Sequence, residues 1–205
     1  MAKNSKSTIT YINSPPLGLT DHFLVASPSL QDGLFSRSVV YICAHNNQGA
    51  LGVVINKPSP LKMEHLFRSI HKETPPMFAD SWLLCGGPIH AMRSFMIHTP
   101  VGNWQSSFYV NDQIAVTTSP DIVESLSQQK TLPFKSLATL GCSGWAGGQL
   151  EEEITRNDWI ITPAFSEIIF DLPLAERYDA ALQSIAPGIH SVSYTHLTLP
   201  TNREV

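Results

Sequence analysis

"SVVYICAHNNQGALGVVIN", residues 38–56, decides the fold class. Two apolar runs rich in β-branched residues, 38–43 and 50–56, flank a segment whose Asn46, Asn47 and Gly49 tolerate the positive φ values of a tight reversal. The pattern predicts a β-hairpin with His45 at its tip. Upstream, "FLVA" (23–26) is a strand candidate that stops at Ser27-Pro28. Downstream, Pro58 and Pro60 close the second hairpin strand, because proline cannot supply a ladder donor, and "LKMEHLF" (61–67) has the spacing of one short helix.

Further along, "SWLLCGGP" reads as a buried strand ended by Gly86, Gly87 and Pro88, and "SFMIHT" and "IAVTT" as two more strands. In "SPDIVESL", Ser119 is placed to cap a helix, Pro120 to occupy its first position, and Asp121 to meet the positive end of its dipole. "FKSLATLG" returns as a strand into "LGCSGWAGGQLEEEI" (140–154). There Gly141, Gly144, Gly147 and Gly148 predict a strand-to-helix reversal, with the helix starting near Gln149. Residues 159–162 form another strand. Leu174, Tyr178, Ala181, Leu182 and Ile185 then make one apolar stripe on a last helix, stopped by Pro187-Gly188.

The chain has 205 residues, 42% of them hydrophobic and 15% charged, which fits a soluble globular protein with a real core. Its formal net charge of -4 comes with scattered basic residues, so direct nucleic-acid binding through a broad basic face is not expected. The apolar runs are strand-length, far short of the ~20 residues of a membrane helix, and no membrane partner is expected. Cys43, Cys85 and Cys142 are odd in number and widely spaced. That suits reduced thiols in a cytoplasmic protein better than a disulfide frame.

The glycine-rich stretch carries no standard catalytic signature. Its Gly141-Cys142-Ser143-Gly144 misses the G-x-S-x-G nucleophile elbow by one place, and no lysine follows the glycines as a phosphate loop needs. Glu151, Glu152 and Glu153 in the first helical turn would repel an added phosphate. Two readings stand: an architectural turn with Trp145 packed in a core or rimming a pocket, or a binding loop in which Ser143, Trp145 and Gln149 hold a ligand. Asn56 ends a strand where sites often sit, or merely terminates it. His45 could orient a ligand or act as a base, although solvated loop histidines are commoner. No H-x-x-x-H, H-E-x-x-H or C-x-x-C spacing occurs, so neither a metal nor another cofactor is expected.

Three blocks, "FLVASPSLQDGLFSRSVVYICAHNNQGALGVVINKPSP", "CGGPIHAMRSFMIHT" and "LGCSGWAGGQLEEEITRNDWI", resemble the bacterial YqgE/AlgH family over residues 19–188. Matching motif positions include Ser29, Leu30, His45, Gly49, Gly52, Asn56, Pro58, Gly86, Gly87 and Pro88, then Gly144, Trp145, Gly148, Gln149, Leu150 and Glu151. Cys142-Ser143 and Ala146-Gly147 depart from the family's usual pairs, the first of which begins with an aromatic residue; this weakens the case for a catalytic Cys142. The resemblance implies an α+β fold in a single compact domain, with a bent, partly barrel-like mixed/antiparallel sheet flanked by helices. It implies a cytosolic protein with no established enzymatic activity, and in one member a proposed role in regulating transcription of exopolysaccharide genes.

The expected organisation is a lead at 1–16, the domain at 17–193 and a tail at 194–205 whose "YTHLTLPTNREV" looks like translated vector or adapter sequence. The leading functional expectation is a non-enzymatic binding or regulatory protein with no catalytic residues. It would meet a small molecule or a protein partner through Ser143, Gly144, Trp145, Gln149, His45, Asn56, Gly86 and Gly87. The rivals are a hydrolase or acyl-transfer enzyme using Ser143 or Cys142 with His45 or His98 as base, and a direct DNA-binding regulator.

Overall fold

The computed structural model describes residues 18–31, 33–128 and 135–185; the expected lead, the tail and the Pro187-Gly188 stop lie outside them. The hairpin forms from β2 (Val39–Asn46) and β3 (Gly49–Val54), with Asn46 opposite Gly49, so only Asn47 and Gln48 make the turn. Gly49 has φ +138°, and a Cβ there would lie 2.0 Å from the Trp145 carbonyl oxygen. Only glycine fits. His45 is therefore inside β2, opposite Ala50 and buried, and the expected place at the tip is corrected.

Around the hairpin, β1 (His22–Ala26) pairs with β2, and β10 (Trp159–Pro163) pairs with β1. On the other side β3 meets β9 (Lys135–Ala146), which meets β6 (Ile89–Thr99), followed by β8 (Ala115–Thr117) and β7 (Ser107–Tyr109). The result is a curled, largely antiparallel sheet of half-barrel form. One parallel pairing joins β5 (Trp82–Cys85) to β9, and β5 also carries the edge strand β4 (Pro58–Lys62). Pro58 and Pro60 thus do not close β3; they face outward from a separate strand that pairs on one side only, where missing N–H donors are tolerated.

The largest correction concerns 140–146. The chain does not reverse at Gly141; β9 runs straight on to Ala146, and only Gly147-Gly148 turns it into α3 (Gln149–Thr155). Gly141, at φ +74°, marks the point where β9 leaves β5 (Thr139 and Leu140) and takes up β3 (Ser143 to Ala146) on the same edge. A positive φ within a strand is the signature of a bulge, which redirects the strand between partners.

Among the described residues five α-helices flank the sheet: α1 (Glu64–Ser69), α2 (Asp121–Ser127), α3, α4 (Ser166–Phe170) and α5 (Arg177–Gln183). At α2 the start is as expected, but Pro120 stands just before the helix and Ser119 does not cap it. The Ser119 hydroxyl instead donates to the Asp121 carboxylate and accepts the Ser106 N–H. Helix α5 buries Tyr178 and Ala181 as the stripe requires, yet Ile185 is exposed and Arg177 is buried in their company. One apolar core lies around β1, β2, β3 and the inner ends of β6 and β8; a second, built on Phe67, Leu83, Met96, Ile122 and Ala138, lies beneath α1 and α2.

Candidate functional site

Strand β9 alternates its side chains, so Ser143 and Trp145 share one face, and both are buried. The turn after Ala146 sends α3 back past that face. Its i, i+4 pair Gln149 and Glu153 consequently lies over Trp145, with Trp159 arriving from β10. Glu153 is the hub. Its Oε2 accepts the indole N–H of Trp145 and of Trp159, each at 2.8 Å, and its Oε1 accepts the Gln149 amide at 2.9 Å. The Gln149 carbonyl oxygen accepts the Ala146 backbone N–H at 3.1 Å, which ties the helix to the strand end. Burial pushes the Glu153 carboxyl up, but the three donated hydrogen bonds and the nearby Arg156 outweigh it, leaving the group below its ordinary value.

These groups line a cleft of about 390 Å³, with Leu30, Phe35 and Pro88 as apolar walls and Arg156 and Asp158 at its charged side. The two indoles stand edge to face at 6.2 Å, and Phe35 meets Trp159 in the same way at 5.6 Å. A carboxylate has about four acceptor positions, of which three are used here, so Glu153 retains capacity for one more donor.

Of the residues expected from sequence, Ser143, Gly144, Trp145 and Gln149 line this cleft. Gly86 and Gly87 stand behind it. The Gly86 carbonyl accepts the Ser143 hydroxyl at 3.3 Å, and a Cβ on Gly87 would sit 2.3 Å from the Cys142 carbonyl. Their part is close backbone packing of the β5–β6 connection against β9. Asn56 is elsewhere, with its side-chain oxygen on the Val39 N–H (2.8 Å) and its amide on the Arg37 carbonyl (2.9 Å), closing the far end of the hairpin. His45 does not line the cleft either; its Nε2 is 3.0 Å from Glu151 Oε1 while Nδ1 is buried without a partner. Glu153, Trp159, Arg156 and Phe35 were not singled out by the sequence.

No nucleophile–base pair assembles from the candidates. Ser143 spends its hydroxyl on Gly86, and burial raises the pKa of the Cys142 thiol, with partial relief from Arg93. His45 is engaged by Glu151. His98 is buried, bonded to the Pro100 carbonyl at 2.9 Å and the Thr117 hydroxyl at 2.8 Å, and burial lowers its pKa. In register it faces Ser136, and Ser143 lies seven residues further along β9, roughly 20 Å away. Among the described residues no cluster of three His, Cys, Asp or Glu side chains could hold a metal ion, and no helix is long and apolar enough to cross a membrane.

Comparison with known proteins bears on this architecture. Residues 23–190 match the domain family DUF179, described as AlgH-like. A UPF0301 protein of Neisseria meningitidis serogroup B is 44% identical over 169 residues, covering 82% of this chain and 92% of that protein. A UPF0301 protein of Chromobacterium violaceum is 47% identical over 167 residues, covering 81% and 89%. The solution structure of the AlgH protein from Pseudomonas aeruginosa is similar with a TM-score of 0.73 at 35% identity, covering 86% of this chain and 93% of that one. The crystal structure of DIP2367 from Corynebacterium diphtheriae, 21% identical with a TM-score of 0.64 and covering 83% of this chain and 87% of that one, shares the fold. The chain belongs to the AlgH-like family.

Proposed function

We propose that this AlgH-like protein is a binding and regulatory protein, not an enzyme, and that the Trp145–Trp159 cleft is where it meets its ligand. The observation that carries the reading is the convergence of both indoles and Gln149 on one carboxylate of α3, which fixes two large aromatic surfaces before any ligand arrives. The lining holds two carboxylates, Glu153 and Asp158, against the single guanidinium of Arg156. A complementary ligand brings an apolar body and a cationic or N–H-bearing head, either as a small molecule or as the projecting side chain of a partner protein. Any effect on transcription would then pass through that partner, since a chain of net charge -4 offers duplex DNA no basic stripe.

The test follows the indole N–H resonances of Trp145 and Trp159 while amine-bearing aromatic and aliphatic compounds are titrated into the protein. Movement of both signals, lost in Trp159→Ala, is expected. A broad amine panel that shifts neither signal at millimolar concentration defeats the reading, as does measured turnover of a substrate that disappears in Ser143→Ala or Cys142→Ala.

A further inference from the structure

A second cleft, of about 310 Å³, opens where the 136–138 stretch of β9 faces β5 and the α4–α5 connection. Its walls are apolar, with Met63, Phe78, Trp82, Leu137 and Leu174 prominent, and Trp82 is 48% exposed. Among the described residues one charged side chain lines it, that of Arg177. Arg177 is only 4% exposed, and its position in the buried stripe of α5 is one that apolar patterning assigns to a hydrophobic residue.

Its guanidinium is held but not neutralised. Nε donates to the Leu172 carbonyl at 3.0 Å and Nη1 to the Ile55 carbonyl at 2.6 Å. No described carboxylate lies within ion-pair distance of it, and Asp171, close by in sequence, is taken by Lys135 at 2.7 Å. Nη2 makes no hydrogen bond among the described residues and is not fully buried, and Arg177 itself lines the cleft. Burial lowers the pKa of the group to about 10, which still leaves it cationic at neutral pH. Two carbonyl bonds account for how the arginine anchors α5 to the end of β3; they do not account for a buried positive charge facing an apolar cavity.

We propose that this cleft is a distinct binding site for a small carboxylic acid with an apolar body. The carboxylate accepts from the Arg177 guanidinium, with Ser81 and Ser136 in the same lining, and the apolar body lies against Trp82, Phe78 and Leu174. Arg177 supplies selectivity for the anion because the charge-assisted bond forms in a largely desolvated place. The apolar walls supply the remainder of the affinity through area removed from water. This site is independent of the Trp145–Trp159 cleft, and either can fail without the other.

Calorimetric titration of the full chain with octanoate and with 1-octanol, paired with the Trp82 indole N–H signal, tests the assignment. Octanoate is expected to bind about 10- to 100-fold more tightly than octanol and to shift Trp82. Arg177→Gln should bring the two ligands to equal affinity. Because that variant loses its bonds to Ile55 and Leu172 and can fail to fold, Trp82→Ala provides a second reading at a half-exposed wall. It should weaken octanoate several-fold while the preference for carboxylate over alcohol persists. Equal affinity of octanoate and octanol for the unaltered protein overturns the proposal, as does octanoate binding that moves the Trp145 and Trp159 signals and leaves Trp82 still.

Discussion

Replacing Glu153 by alanine removes the acceptor on which three donors converge. Two of those donors, the indole N–H groups of Trp145 and Trp159, belong to residues only 7% and 5% exposed, and each sits 2.8 Å from Oε2. The Gln149 amide is exposed and turns to water. An abandoned buried donor costs about 1–3 kcal/mol, and water entering the open cleft recovers part of that, so a loss of about 2–4 kcal/mol is expected. For a domain of this size the melting temperature should fall by about 5–15 °C. Glu153→Gln keeps an oxygen for the indoles and forfeits charge assistance and the exposed Gln149 bond, which water replaces, about 1 kcal/mol. Urea unfolding followed by tryptophan fluorescence measures both. The pH dependence supplies an internal check. The folded carboxyl sits below its ordinary 4.5, so the folded state binds the proton more weakly than the unfolded one. Its contribution is complete above the unfolded pKa and drains away as pH falls through the folded one. The gap between the native protein and Glu153→Gln should therefore be constant near neutrality and narrow as pH drops below about 4.5. A Glu153→Ala variant within about 0.5 kcal/mol of the native protein, or a gap that widens in acid, would refute the hub.

Other outcomes follow from the same geometry. Ser143→Ala should cost no more than about 1 kcal/mol, since its bond to Gly86 is a long 3.3 Å; a larger loss in urea unfolding would mean the hydroxyl does more than the structure shows. Cys142 should resist iodoacetamide in the native protein at pH 8 and react on unfolding, because burial raises its thiol; rapid native alkylation counts against this. Gly87→Ala places a Cβ 2.3 Å from Cys142 backbone atoms at φ +152°, and should destabilise by about 2–4 kcal/mol, read from its melting temperature. Tyr178→Phe removes a buried 2.7 Å bond to the Ala26 carbonyl and should cost about 1–2 kcal/mol in the same measurement.

Local chemistry made the hairpin readable, since Asn47 and Gly49 mark the turn and β-branched runs mark its strands. The family resemblance, rather than periodicity, gave the half-barrel. At 141–146 glycine is ambiguous: its backbone freedom suits a chain reversal, whereas Gly141 uses it for a bulge inside a strand that exchanges one neighbour for another. Pro58 and Pro60 are ambiguous similarly, because a proline forbids a central strand but not an edge, and edge status is a property of the sheet. Trp145, Gln149 and Ser143 could be singled out because they stand together in one unusual stretch. Glu153 could not: its donors come from β9, α3 and β10, and its sequence context shows only one glutamate of three at a helix start. Arg177 is hidden for the opposite reason, lying beside an apolar stripe whose period conceals what a lone cation does within it.

Strand β9 serves as a party wall. Residues 136–138 bound one cleft, 143–145 bound the other, and both apolar cores rest against its length. A molecule assembled this way has no seam along which half of it can come loose, so amide protons in the middle of β9 should exchange with deuterium only when the whole fold opens. Trimming the chain to isolate either cleft would strip the other of its floor.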